Sequence, residues 1–107
     1  MKKNSIALVT GGSKRIGKQI CIDLAKNNYD IIIHYNKSRA LANKLKKEII
    51  ELGVRCETIK CDFNNRKEVD KFYPKASKLL GKISCLINNA SVFENDKIHN
   101  FTSKSWN

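Results

Sequence analysis

Acidic residues are scarce. Ten Asp and Glu stand against 21 Lys and Arg, giving a formal net charge of +11 and a pI of about 9.7. Such a balance raises nucleic acid as a partner. The lysines, however, are scattered over every predicted helix, and no aromatic–basic cluster or nucleic-acid motif accompanies them, so no nucleic-acid partner is expected. Long apolar runs are lacking too. No stretch approaches the ~20 apolar residues of a membrane span. Lys2 and Lys3 are followed only by a short apolar strand, too short for the core of a signal peptide. Paired cysteines are absent: Cys21, Cys56, Cys61 and Cys85 include no Cys-x-x-Cys, and His34 and His99 complete no zinc pattern. The expectation is a cytoplasmic protein with reduced, buried thiols, no metal and no membrane contact. A chain of 107 residues allows one small domain at most, and it holds no internal repeat or low-complexity linker.

What is present alternates. Ser5–Thr10, Asp30–Tyr35, Val54–Lys60 and Ile83–Ile87 read as apolar strands. Helical patterns lie between them. One begins at Ile16-Gly17-Lys18-Gln19-Ile20. A second places Leu41, Leu45, Ile49 and Leu52 on one face, with Ser38 to cap its start and Gly53 its end. A third carries Val69, Phe72, Ala76, Leu79 and Leu80 and stops at Gly81. The single proline, Pro74, falls inside this third pattern. It removes a backbone donor and predicts a kink or a split. The order βαβαβαβ implies an α/β fold: a Rossmann-type doubly wound parallel sheet, here ending after the fourth strand.

Residues 10–17, Thr-Gly-Gly-Ser-Lys-Arg-Ile-Gly, join the first strand to the first helix. Free N–H groups and the positive end of a helix dipole favour an anion there. Two anion-binding readings compete. A dinucleotide loop of the form Thr-Gly-x-x-x-Gly-x-Gly is matched at Gly11 and Gly17, with Arg15 in place of the middle glycine. A Walker A loop is matched at Gly12, Gly17 and Lys18 but fails at Gln19, where a hydroxyl should hold magnesium. The plainest alternative is a βα turn whose glycines serve only tight packing. The dinucleotide reading agrees best with the alternating elements.

The end of the second strand speaks to the kind of dinucleotide. Where NAD is bound, an Asp or Glu lies about 20 residues past the glycine loop and bonds the ribose 2′-hydroxyl. Here the segment is His34-Tyr35-Asn36-Lys37-Ser38-Arg39, without a carboxylate. Lys37 and Arg39 supply positive charge, Ser38 a hydroxyl, and Lys14 and Arg15 add charge in the glycine loop. This is chemistry for a 2′-phosphate, hence NADP(H). The competing account is that these are ordinary surface charges in a lysine-rich chain.

The glycine loop, together with Ile87-Asn88-Asn89-Ala90-Ser91 after the fourth strand and Cys61-Asp62-Phe63 after the third, resembles the short-chain dehydrogenase/reductase family. Arg15 for the middle glycine, Ser91 for the last glycine of Asn-Asn-Ala-Gly, His34-Tyr35 before Ser38, and Phe93 resemble its pteridine reductase and dihydromonapterin reductase branch. The resemblance implies an NADP(H) site. Gly11, Ser13, Lys14, Arg15, Ile16 and Gly17 would contribute from the loop. His34, Tyr35, Asn36, Lys37 and Ser38 would contribute from the second strand, Asp62 and Phe63 from the third, and Asn89, Ala90 and Ser91 from the fourth. It implies substrate contacts from Arg15, Ser91 and Phe93, with the aromatic stacked on a pterin ring.

The family's proton donor is a tyrosine with a lysine four residues later, and a serine polarises the substrate. This sequence has no such pair: Tyr29, Tyr35 and Tyr73 are followed at that distance by Ile33, Arg39 and Ser77. The resemblance therefore implies the cofactor-binding N-terminal half of an oxidoreductase, spanning residues 1–107, with its catalytic half elsewhere. A small-molecule substrate would then bind only in the completed protein. The fourth strand would offer an open edge to a C-terminal half or a second copy. The alternative is a catalytically silent piece that binds nucleotide or a partner chain.

Overall fold

A computed structural model describes residues 4–89 of the chain. Strand β1 (Ile6–Thr10) leads to helix α1 (Arg15–Lys26), β2 (Asp30–Tyr35), α2 (Arg39–Glu51), β3 (Cys56–Lys60), α3 (Arg66–Ser77) and β4 (Cys85–Asn88). The four strands form one parallel sheet in the order β3-β2-β1-β4. The chain winds outward through β2 to β3, then crosses back over the sheet through α3 to place β4 on the far side of β1. That reversal puts a switch point at the carboxyl ends of β1 and β4, where open α/β sheets bind ligands.

The period of two along each strand divides the core. Ala7 and Val9 of β1 and Ile31, Ile33 and Tyr35 of β2 face α1 and α2, against Cys21, Ala25, Ala42, Leu45 and Ile49. Ile6, Leu8 and Ile32 face the other way, against Phe72 and Ala76 of α3 with Ile59, Cys61, Phe63 and Ile83. Both faces of β1 and β2 are therefore buried along their whole length, as a parallel sheet with helices on both sides requires. Asp30 anchors the start of β2. Its carboxylate accepts hydrogen bonds from the Asn4 side chain and from the backbone N–H and guanidinium of Arg55.

Five details depart from the sequence expectation. The buried line of α2 is Ala42, Leu45 and Ile49. Leu41 is 53% exposed, because it sits about 100° round the helix from Ala42. Leu52 is exposed as the C-cap, one position before Gly53, which takes a left-handed φ of +98°. Helix α3 is not split: it runs on past Pro74 as one helix. Pro74 and Asp70 are both exposed, so water can solvate the Asp70 carbonyl that lost its donor. The helix ends at Ser77 instead of at Gly81. There Lys78 N–H and Leu79 N–H bond back three residues, to Lys75 and Ala76, and tighten the last turn. The fourth strand begins two residues later than expected. At Ser84 the side-chain oxygen, and not the next strand carbonyl, accepts the Ile6 N–H. Strand β3 likewise starts at Cys56 instead of Val54, after Gly53 and the Arg55 clasp on Asp30.

Among the described residues no strand pairs with the outer side of β4, whose Cys85, Leu86 and Ile87 are only half-buried. No described helix is long and apolar enough to cross a membrane. Phe72 is 1% exposed and packs edge-on against Phe63 and His34. Phe72→Ala is expected to destabilise the chain by about 3–5 kcal/mol, a large share of a small domain's total, read as a lowered urea midpoint. A loss below about 1 kcal/mol would show that α3 is not needed to close its face of the sheet.

Candidate functional site

The glycine loop is shaped by close approach. Gly11 takes a φ of +63°, in the left-handed region that glycine tolerates. The Lys14 N–H bonds back to the Gly11 carbonyl at 3.2 Å, and α1 starts at once. A Cβ on Gly17 would collide with the Gly11 carbonyl and come within 2.7 Å of Gly12 Cα and 2.8 Å of Asn89 Nδ2. Helix α1 therefore meets the loop backbone with no room for a side chain.

This places three amides at the switch point. The first helical hydrogen bond runs from Lys18 N–H to the Lys14 carbonyl, so the N–H groups of Arg15, Ile16 and Gly17 have no carbonyl one turn back. The N-cap is Lys14, which makes no side-chain capping bond, and the first turn holds no acid. Two exposed cations, Lys14 and Arg15, crowd the positive end of the helix dipole. Helix α3 shows the ordinary solution by contrast: Asn65 caps it by accepting from Glu68 N–H, with Glu68 in the first turn. Helix α2 repeats the exception. Its N-cap Ser38 makes no side-chain capping bond, its first turn lacks an acid, and Lys37 and Arg39 flank it.

The end of β2 opens into a cleft of about 750 Å³ lined by Tyr35, Asn36, Lys37, Arg39, Asp62 and Glu68, with Lys60 and Lys75 at its side. Asp62 accepts from the Asn64 N–H through one carboxylate oxygen. Its own N–H donates to Glu68 Oε1 at 3.0 Å. Lys60, Lys75 and Glu68 were not among the residues expected at a site. The Asn65-x-x-Glu68 spacing, a helix-start signature, is the signal that would have drawn Glu68 into this loop.

His34 and Phe63 lie beneath the site. His34 is 3% exposed and Phe63 5%. Their rings stack at 4.3 Å with 15° between planes. His34 Nδ1 accepts from Gly11 N–H at 2.8 Å, and Nε2 lies 2.9 Å from the Cys61 carbonyl. One neutral tautomer, with the proton on Nε2, satisfies both contacts. Burial pushes the imidazole down to about 4, against a partial upward pull from the Cys61 carbonyl and a further downward push from Lys14. The His34 carbonyl also accepts from Gly12 N–H. At the β4 end, Asn89 N–H donates to Thr10 Oγ1 at 2.9 Å, and Asn89 Nδ2 reaches the Gly11 carbonyl at 3.4 Å. Ser13 is buried and Ile16 is 66% exposed at the mouth of the loop. Ala90, Ser91 and Phe93 lie outside the described residues.

The four cysteines are free thiols. Burial pushes Cys21, Cys56 and Cys61 up to about 12, so none of these three is poised as a nucleophile. Among the described residues no cluster of His, Cys, Asp and Glu could hold a metal ion.

A parallel sheet wound on both faces, with a glycine loop opening at its switch point, defines a Rossmann-type α/β protein. The chain belongs to the short chain dehydrogenase family, whose model matches residues 5–107. It is 36% identical over 106 residues to an uncharacterised oxidoreductase, YjdA, of Bacillus subtilis, covering 96% of this chain and 42% of that protein. Among solved structures it resembles the FolM alternative dihydrofolate reductase 1 of Brucella canis complexed with NADP. The TM-score is 0.77 and the identity 35%, over 86% of this chain and 37% of the other. It also resembles an NAD+-bound xylitol dehydrogenase, with TM-score 0.77 and 28% identity, over 86% of this chain and 35% of the other. The chain thus spans about two-fifths of the length of these proteins. The family works with a nicotinamide cofactor.

A pH dependence follows from His34. Its folded pKa of about 4 lies below the ordinary 6.5, so between those values the unfolded chain binds more protons than the folded one. The preference for the neutral ring is fully present above pH 6.5 and is lost as pH falls towards 4. On the order of 3 kcal/mol is expected to disappear across that window. Urea midpoints measured from pH 8 to 4 are expected to fall more steeply for the native chain than for His34→Asn. Parallel curves would contradict the assignment.

Proposed function

We propose that this chain is the NADP(H)-binding half of a short-chain oxidoreductase that transfers hydride to a carbonyl or pterin-like substrate. One observation carries the reading. The N-termini of α1 and α2 both open at the carboxyl end of the sheet, both lack a side-chain cap and an acid, and both are flanked by cations. Bare positive helix ends beside Lys14, Arg15, Lys37 and Arg39 suit two separate phosphate groups. The pyrophosphate would take the amides of Arg15, Ile16 and Gly17. The 2′-phosphate would take Lys37, Ser38 and Arg39, at a strand end without the carboxylate that NAD requires. Asp62, with one carboxylate oxygen given to Asn64, has the other for the adenine amino group.

When bound, the cofactor supplies the hydride. The chain's own residues bind and orient it, but the sequence has no Tyr-x-x-x-Lys pair to place a proton. We therefore read turnover as dependent on a complementing C-terminal half, paired at the outer edge of β4. That half would bring the proton donor and the substrate walls. The pterin-like substrate class is supported by Arg15 and by similarity to the dihydrofolate reductase of Brucella canis. Ser91 and Phe93 are the further substrate contacts in this reading.

Calorimetric titration of the 107-residue chain is expected to show tighter binding of NADP+ than of NAD+. Lys37→Asp is expected to weaken NADP+ by about 1–3 kcal/mol and leave NAD+ nearly unchanged. Equal affinity for the two, or tighter NAD+, would remove the 2′-phosphate assignment. Gly17→Val is expected to abolish binding of both, because its side chain overlaps Gly11 and Gly12. With NADPH and a pterin the chain alone is expected to give no turnover, since it forgoes a roughly 10²–10⁴-fold general-acid contribution and a larger positioning term. Substrate-dependent NADPH oxidation that Gly17→Val abolishes would mean that the chain holds its own proton donor.

A further inference from the structure

His34 touches both loops that face the proposed nucleotide. Its Nδ1 holds the Gly11 N–H and its Nε2–H holds the Cys61 carbonyl, at 2.8 and 2.9 Å. Gly11 begins the pyrophosphate loop. Cys61 begins the loop that presents Asp62 to the cleft. The ring is clamped between them by Phe63, stacked, and Phe72, edge-on. Its backbone carbonyl takes the next loop amide, Gly12 N–H, at 3.0 Å. Rotation of the ring would therefore break contacts in two elements at once.

We propose that His34 is a positioning residue for nucleotide binding, which fixes the glycine loop against the Cys61–Phe63 loop and does so only as the neutral Nε2–H tautomer. This rests on the NADP(H) reading above. A second proton on Nδ1 would point at the Gly11 N–H, donor against donor. Gly11 would have to turn away, and Gly12, Gly17 and the amides of α1 are packed on it.

The charges around the ring are few. From the glycine loop Lys14 opposes protonation. From the β3–α3 loop the Cys61 thiol stays neutral, since burial holds it near 12, with Asp62 and Glu68 beyond it. Helix α3 contributes Phe72, which does not titrate, and carries Glu68 and the cation Lys75, both of which act on the Cys61 thiol. The ligand's 2′-phosphate, near pH 6, and the chain's carboxylates are the same in every His34 variant. A comparison between variants at each pH removes these shared contributions.

The test is NADP+ affinity of the 107-residue chain from pH 8 to 3.5, with the fold followed by circular dichroism, for native protein, His34→Leu and His34→Asn. At pH 8, His34→Leu leaves Gly11 N–H unpaired, and affinity is expected to fall about tenfold to a hundredfold. His34→Asn, whose Oδ1 stands near the Nδ1 position, is expected to recover part of that loss. Below about pH 5, as the folded ring approaches its pKa of about 4, the native affinity is expected to fall relative to that of His34→Asn, which cannot titrate. If the leucine variant does not fold, the native and asparagine profiles decide alone. Leucine binding like the native chain, or native and asparagine profiles falling in parallel, would overturn the proposal while leaving NADP(H) binding intact. No NADP+ binding by the native chain at pH 8 would overturn the nucleotide reading and His34's role with it. In that case ring nitrogen shifts in NMR would still report the Nε2–H tautomer, which separates the two failures.

Discussion

Helix α1 meets the end of β1 at a point where no side chain fits. That contact between Gly17 and the Gly11–Gly12 backbone fixes everything above it. It holds the first turn of α1 at the carboxyl edge of the sheet, beside the switch point between β1 and β4. It makes a left-handed Gly11 necessary, and it presents the amides of Arg15, Ile16 and Gly17 outward. Thr10, Asn89 and His34 then grip the loop from β1, β4 and β2. A loop held from three strands is rigid enough to present amides to an anion without reorganising on binding.

The same region breaks the local rules that the rest of the chain obeys. Helix α3 has an Asn cap and an acid in its first turn, and α1 and α2 have neither. Cations at a helix N-terminus are unfavourable by a few tenths of a kcal/mol to about 1 kcal/mol each. Natural sequences keep such conflicts where function needs them. Both conflicts open to the same edge of the same sheet, which is why one ligand with two phosphate positions accounts for them better than two unrelated defects do.

Much of this was legible in the sequence. Strand β2 falls where its apolar run does, and the glycine loop and the acid-free end of β2 stand out as written. The residues that escaped did so for physical reasons. Helical periodicity placed Leu41 and Leu52 inside, but the buried line turns on Ala42, whose small side chain lets α2 lie close to the sheet. The start of β4 shifted because the Ser84 side chain takes a backbone donor, a contact that no propensity encodes. His34 and Phe63 entered the list of cofactor residues through the family resemblance, and the structure shows both buried. Strand alternation, applied strictly, turns His34 to the α3 face with Leu8 and Ile32, and its partner across that face could be known only from the fold.

The central claim is that the N-termini of α1 and α2 bind one NADP(H) molecule together. Backbone amide NMR of the 107-residue chain, titrated with NADP+, tests it most directly. Resonances of Arg15, Ile16, Gly17, Lys37, Ser38 and Arg39 are expected to move in one saturating step with a common midpoint. With NAD+ the α1 amides are expected to move and those of α2 to stay nearly still. Shifts confined to one helix end with NADP+, or shifts spread over the exposed lysines without saturation, would contradict the account.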